Sequence, residues 1–165
     1  MRLSIKRIMI AFAALLALAI AGVFTAWMVE YPGGMRPDYN ATDRDARLTP
    51  IAREAVPMIQ AINRYYLTHG QCPRPTESSV AELREGLPED LVTTLRGDKI
   101  EFRDAKAATG WLYYSSDAEP KVCQLWRKLG WDPALVWLRH GDQTRWIFVP
   151  GDGSDEKMID LDIGG

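Results

Sequence analysis

The stretch LVWLRHGDQTRWIFV, residues 135–149, decides the fold. Two runs rich in β-branched and aromatic residues flank a polar segment, residues 140–143, that contains a glycine. This is the pattern of two strands joined by a tight turn. The stretch therefore predicts a β-hairpin and, around it, an antiparallel sheet in the second half of the chain.

The segments on either side of this hairpin have the same character. Residues 100–103 alternate apolar and charged side chains, 111–114 are the aromatic run WLYY, and 158–161 predict a last short strand. Residues 122–129 are ambiguous, because their apolar side chains fit both helical spacing and strand alternation. The neighbouring strands favour a strand there. We expect an antiparallel sheet of about four strands.

The first half of the domain has a helical pattern. Thr49 and Pro50 form a favourable helix start, and Gly70 is suited to a C-cap. Pro57 lies inside the pattern and should kink or divide the helix. One face of this helix is predicted to lie against the sheet, with Ile51, Ala55, Ile59, Ile62 and Tyr66.

Shorter helical segments are expected between this helix and the sheet. Ser79 and Glu82 have capping-box spacing, which predicts a helix at 80–86. Residues 91–95 could form another helical turn, stopped by Gly97. Helices followed by strands give an α+β domain, with a helix packed on an antiparallel sheet.

An uncharged, largely apolar run at 8–29 is long enough to span a bilayer as one helix. Basic residues precede it, so the positive-inside rule predicts a cytoplasmic N-terminus at 1–7, a single-pass transmembrane signal anchor at 8–29 and a periplasmic remainder. A cleaved signal peptide is the alternative, because residues 19–21 match the small-x-small pattern of a cleavage site. Residues 30–46 indicate a linker, and 47–165 one domain.

Composition and charge narrow the classes of function. Hydrophobic residues make up 47% of the chain and charged ones 25%, which is typical of a globular protein. After the apolar run there are 17 basic and 22 acidic residues, and the basic ones are scattered along the sequence. Nucleic-acid binding needs a dense positive surface, so no nucleic-acid partner is expected.

Three features point to a known family. They are the apolar segment ahead of a domain, the segment AINRYYLTHGQCP at 61–73 with its Tyr-Tyr pair before a polar turn, and an aromatic sheet ending in WIFVPGDG at 146–153. Together they resemble type IV pilins and type II secretion pseudopilins. The resemblance implies a pilin-like domain at the inner membrane. Residues 6–10, KRIMI, lack the glycine of a prepilin peptidase site. The expected N-terminal segment is therefore a plain signal anchor and not a processed pilin helix.

The chain has two cysteines, Cys72 and Cys123. In an oxidising compartment two cysteines usually pair, which predicts a disulfide between the end of the helix and the sheet. Two free buried thiols remain an alternative. A metal or redox site is disfavoured, because neither a CxxC motif nor suitable histidine spacing is present.

The C-terminal segment is acidic. Asp152, Asp155, Glu156, Asp160 and Asp162 could supply the hard oxygen ligands that calcium prefers, although the EF-hand pattern is missing. Some pseudopilins bind calcium near this end of the domain. The resemblance therefore implies a calcium site in the same region of this chain. The alternative is a solvated acidic tail, and no other cofactor is expected.

No catalytic constellation is recognisable. His69 and His140 lie in separate predicted turns, and no serine has a nucleophile-elbow pattern. Of the tryptophans in the sheet half, most should be core, with one or two left exposed as a binding patch.

The first hypothesis is a non-enzymatic, membrane-anchored periplasmic interaction protein, accessory to an envelope or secretion assembly. The alternative is a small anchored hydrolase or ligand-binding module, with a pocket lined by either histidine and a carboxylate.

Overall fold

The computed structural model describes residues 41–104, 109–116 and 118–163, together with Leu18. In this part of the chain, no helix combines the length and the apolar character needed to cross a membrane. The predicted cytoplasmic segment at 1–7, the anchor at 8–29 and the linker up to residue 40 lie outside the described residues, apart from the helical Leu18.

The described residues from 91 onward form a seven-stranded antiparallel sheet in which each strand pairs with the next one along the chain. The strands are β1 (Leu91–Arg96), β2 (Lys99–Asp104), β3 (Trp111–Ser115), β4 (Val122–Lys128), β5 (Ala134–His140), β6 (Gln143–Val149) and β7 (Lys157–Ile159). The hairpin predicted at 135–149 is confirmed as β5 and β6, with Gly141 at φ 59° in its turn. The ambiguous segment at 122–129 is a strand.

Two expectations about the sheet are wrong. It has seven strands in the described residues, against about four expected. Residues 91–96 form β1 instead of a helical turn, because Val92, Thr93 and Thr94 are residues that favour extended backbone. Gly97 was predicted to end a helix. Instead, at φ 64°, it lies in the turn that joins β1 to β2.

Three helices precede the sheet in the described residues: α1 (Leu48–Glu54), α2 (Val56–His69) and α3 (Glu77–Arg84). Pro57 divides α1 from α2, as predicted, and lies in the first turn of α2, where its missing N–H needs no partner. Gly70, at φ 68°, ends α2 and donates its N–H to the carbonyl of Tyr66 at 2.8 Å.

The starts of α1 and α3 differ from the predicted ones. Ahead of α1, the carboxylate of Asp45, and not the hydroxyl of Thr49, accepts from a backbone N–H, that of Arg47, at 2.9 Å. Thr76, and not Ser79, caps α3, since its hydroxyl accepts from the N–H of Ser79 at 3.3 Å. The Thr76 hydroxyl thus reaches an otherwise unpaired N–H at the start of α3, whereas α1 begins without a side-chain cap.

Asp45 also makes stability depend on pH. Arg47 donates to both of its carboxylate oxygens, at 2.9 and 2.7 Å, and these bonds lower the pKa of Asp45 to about 2, although burial opposes them. A folded-state pKa below the ordinary 3.8 means that the carboxylate stabilises the fold above about pH 4. That contribution is lost as the pH falls toward 2.

We expect Asp45→Asn, which keeps a side-chain oxygen that can accept from the N–H of Arg47, to lower the free energy of unfolding at pH 6 by on the order of 1–2 kcal/mol. The difference from wild type should shrink as the pH falls from 6 to 2, and urea denaturation at each pH measures it. An equal difference at both ends of this range would show that the charge of Asp45 contributes nothing.

The hydrophobic core lies between the helices and one face of the sheet, which we call the inner face. Phe102, Trp111 and Phe148 mark this face, and all three are buried in the core. Trp146 is in the core as predicted, whereas Trp131 is 60% exposed. All five helical residues predicted to face the sheet belong to the core or pack against it: Ile51, Ala55, Ile59, Ile62 and Tyr66.

The predicted disulfide is present. It joins Cys72, in the segment after α2, to Cys123 on β4, and both residues are buried. Next to it, the hydroxyls of Tyr113 and Ser115 donate to the carbonyl of Pro73, each at 2.9 Å. The segment that follows α2 is thereby fixed to β3 and β4.

Both edges of the sheet carry hydrogen bonds to other parts of the chain. At β1, the guanidinium of Arg84 donates to the carbonyl of Thr93 at 2.7 Å. Just after β7, the N–H of Arg44 donates to the carbonyl of Asp160 at 2.7 Å, and the N–H of Asp160 donates to the carboxylate of Asp43 at 2.8 Å. Backbone groups engaged in this way are not available to a strand from another chain.

Candidate functional site

A continuous row of side chains crosses the face of the sheet opposite the helices, which we call the outer face. Cross-strand pairing aligns one residue from each strand, from β1 to β7: Thr94, Glu101, Leu112, Trp126, Val136, Ile147 and Met158. The five members on β3 to β7 are apolar, and we call them the apolar row. Side chains opposed in adjacent strands lie about 5 Å apart, so the row is one continuous surface.

The apolar row is separate from the hydrophobic core. None of its five members belongs to the cluster that the described helices share with the inner face. Val136, at the centre, is 3% exposed, whereas Met158, at one end, is 71% exposed. The remaining members are half-buried. Among the described residues, the row is therefore an apolar surface that lies outside the core.

Contacts within the outer face hold its aromatic side chains in place. The indole of Trp126 donates to the side-chain oxygen of Gln124 at 2.9 Å. Its ring meets that of Tyr114 edge to face, with 6.3 Å between centroids, and the ammonium of Lys99 lies 5.3 Å from the Tyr114 centroid. Side chains that are already ordered lose little conformational entropy on binding, which suits a contact surface.

The outer face is rich in cations. Along the strands, the outer face carries one carboxylate, that of Glu101, and five cationic side chains: Arg96, Lys99, Arg103, Lys128 and Arg145. Glu101 is 8% exposed and accepts from Arg96 at 3.3 Å and from Arg103 at 2.7 Å. The whole chain has a net charge of -2, so this face is opposite in sign to the rest of the protein.

No family model, curated protein or solved structure matches this chain. Homology therefore assigns no function, and the resemblance to pilins and pseudopilins stays a prediction.

The two histidines proposed from sequence lie at separate places. The Nε2 atom of His69, at the end of α2, is 2.8 Å from a carboxylate oxygen of Glu82, and both side chains are more than one-third exposed. The ring of Tyr65 lies 4.2 Å from that of His69. His140 is exposed at the end of β5, on the outer face. The His69–Glu82 pair is a solvent-exposed contact between α2 and α3, since His69 is the last residue of α2.

The acidic residues proposed for calcium are spread along an exposed loop and the chain after it. Asp152 accepts from the N–H and the hydroxyl of Ser154, and these bonds lower its pKa. Asp160 is 3.9 Å from the guanidinium of Arg44, while Asp155 and Glu156 are exposed. The described residues contain no group of three or more metal-ligating side chains arranged to hold an ion. The calcium site stays a prediction from the sequence.

A cleft of about 300 Å³ opens between the α1–α2 junction and the first three strands. Arg127 lines it, paired with Glu54 at 3.5 Å, bonded to the carbonyl of Thr109 and 5.9 Å from the Trp111 centroid. Burial lowers the pKa of Arg127, and the charge of Glu54 opposes that shift. Asp90 and Asp104 also line the cleft, whereas neither histidine does. The cleft is thus a concave site lined by an arginine and several carboxylates, and no sequence pattern predicted it.

A signal for the outer face was present in the sequence. A strand with one solvated face alternates apolar and polar residues, but 135–138 and 146–149 are apolar throughout. The helices cover the inner face of these strands, which accounts for the apolar residues on that face. The apolar residues on the outer face do not belong to the core. Among the tryptophans of the sheet half, Trp131 is exposed and Trp126 is half-buried on the outer face.

Proposed function

We propose that this chain is a membrane-anchored, periplasmic, pilin-like interaction protein, accessory to an envelope or secretion assembly, which binds another protein through the outer face of its sheet. The apolar row is the observation that carries the proposal. Covering apolar surface is favourable by about 25 cal/mol per Å². Contiguous apolar patches rimmed by polar residues are typical of protein–protein contact sites.

The location of the protein is part of the proposal. The Cys72–Cys123 disulfide supports an oxidising compartment, since disulfides persist there and are rare in the cytosol. The apolar run at 8–29, with basic residues ahead of it, supports an anchor whose domain has crossed the membrane. A helix packed on an antiparallel sheet is consistent with a pilin-like layout, which gives the proposal its envelope setting.

The face of the sheet is a better contact site than its edges. Hydrogen bonds from Arg84 and from residues 43–44 already engage backbone groups in β1 and just after β7. A partner that added a strand would have to displace these bonds. Among the described residues, no core contact of the apolar row would have to be displaced by a partner that lies on it.

A ligand-binding module is the second candidate, because of the cleft beside Arg127. Its volume of about 300 Å³ lies at the lower end of the range for small-molecule sites. However, the Arg127 guanidinium already has Glu54 and the Thr109 carbonyl as partners. A ligand would have to compete with both, so the interaction protein is the better-supported function.

Site-specific photo-crosslinking in cells tests the proposal. A photoreactive residue at Met158, 71% exposed on the outer face, should give a discrete adduct with a partner protein. The control position is Leu67, which is 80% exposed on the helical side and should give none. Ile147→Lys, next to Met158 in the apolar row, should abolish the adduct. Adducts at both positions, or at neither, would contradict binding through the outer face.

A further inference from the structure

We propose that the segment covering the apolar row is an acidic amphipathic α-helix of the partner protein, lying across the strands. This inference rests on the proposed function and deepens it by naming the chemistry of the partner. Three features of the outer face carry it: the placement of its charges, the spacing of the row and the state of the sheet edges.

One cation lies on each side of the apolar row. Lys128 on β4 is two residues beyond the row position of its strand, and Arg145 on β6 is two residues before it. Because β4 and β6 run in the same direction, these two cations lie on opposite sides of the row. The other cations of the outer face lie beyond the β3 end of the row, on β1 and β2, where two of them donate to Glu101. They are Arg96, Lys99 and Arg103. Such a surface complements a segment with an apolar stripe and carboxylates on both sides of it.

The spacing of the row suits a helix. Adjacent strands lie 4.7–4.9 Å apart, so the five apolar residues span roughly 19 Å. An α-helix returns an apolar side chain to the same face about every 5.4 Å, and three to four turns cover that length. A helix lying perpendicular to the strands therefore places about one apolar side chain near each strand of the row.

Other occupants fit the outer face less well. An extended strand would need a free sheet edge, and both edges carry hydrogen bonds within the chain. Insertion into a bilayer needs protruding apolar side chains, whereas Val136 at the centre of the row is 3% exposed. A partner helix supplies the protruding apolar side chains itself, so it can pack on a shallow surface.

Peptide binding tests the inference on the full-length chain, held in nanodiscs of zwitterionic lipid. The probe is a fluorescent helical peptide of about 18 residues, with leucine along one face and glutamate on both flanks. The control peptide has lysine in place of every glutamate. We expect the glutamate peptide to bind roughly tenfold more tightly at low salt, and this preference to shrink at about 0.5 M salt.

Matched charge reversals locate the binding surface. Lys128→Glu with Arg145→Glu changes two exposed cations, one on each flank of the row, and should abolish the preference for the glutamate peptide. Arg53→Glu with Arg64→Glu changes two exposed cations on the helical layer and should preserve it. Thermal unfolding checks that both double variants fold. Equal binding of the two peptides, or a preference that survives the outer-face reversals, would overturn the inference.

The remaining outcomes separate this inference from the proposed function. If Met158 forms its adduct in cells but neither peptide binds, the acidic helix is wrong and the protein-binding face stands. Loss of peptide binding when anionic lipid is added to the nanodisc would overturn the inference in favour of a membrane surface. Self-association that the outer-face reversals abolish, measured by light scattering, would overturn it in favour of a second copy of this chain.

Discussion

Replacing Phe148 with alanine should lower the free energy of unfolding by about 3–5 kcal/mol. The ring is 0% exposed on the inner face of β6 and belongs to the core. Its removal takes apolar area out of the folded state and leaves a cavity between the sheet and the helices. Such a cavity costs dispersion contacts in addition to the lost transfer free energy. This loss is a large part of the stability of an ordinary domain.

The neighbouring residue provides the control. Ile147 is half-buried on the outer face of the same strand and is not part of the core. Ile147→Ala should cost about 1 kcal/mol, because half of a side chain is returned to water and no enclosed cavity forms. Urea denaturation followed by tryptophan fluorescence compares the two variants. Equal losses would mean that the outer face is buried as deeply as the inner one.

Removing the disulfide should have the second-largest effect. The variant Cys72→Ala with Cys123→Ala opens a loop whose ends are 51 residues apart, and we expect a loss of about 2–4 kcal/mol. Alanine at both positions avoids leaving an unpaired buried thiol. The expected cause is the greater freedom of the unfolded chain, since the bonds from Tyr113 and Ser115 to Pro73 can still form.

Reductant separates the effect of the disulfide from that of the substitutions. Wild type unfolded in reductant should lose stability to a similar extent, whereas the double alanine variant should not respond. Denaturation curves with and without reductant give both values. A wild-type protein indifferent to reductant would show that the covalent link contributes nothing to stability under these conditions.

Local signals in the sequence predicted most of the elements. A glycine in the turn at 141 and two β-rich flanks were sufficient for the β5–β6 hairpin, and Pro57 for the break between α1 and α2. These features act within a few residues, where the chemistry of one side chain decides the backbone. β1 was missed because Gly97 suits a helix end as well as a hairpin turn. The choice depended on whether β2 was available to pair with it.

The charged outer face was not predictable from the sequence. Its cations are spread from residue 96 to residue 145 and appear scattered along the chain. They share a surface only because strand register places them on the same face of four different strands, from Arg96 on β1 to Arg145 on β6. Register is a property of paired strands, and an error of one residue would move every cation to the other side.

The order of the strands has a consequence for how the chain folds. Because every strand pairs with its neighbour in sequence, the sheet is built from contacts of short range, and such topologies fold faster than those that need distant pairings. Such a chain can form its sheet in sequence order, because each new strand pairs with the strand that precedes it. Cys72 has to wait until Cys123, 51 residues later, has joined the sheet, so oxidation should follow the assembly of β3 and β4 and lock a nearly finished sheet.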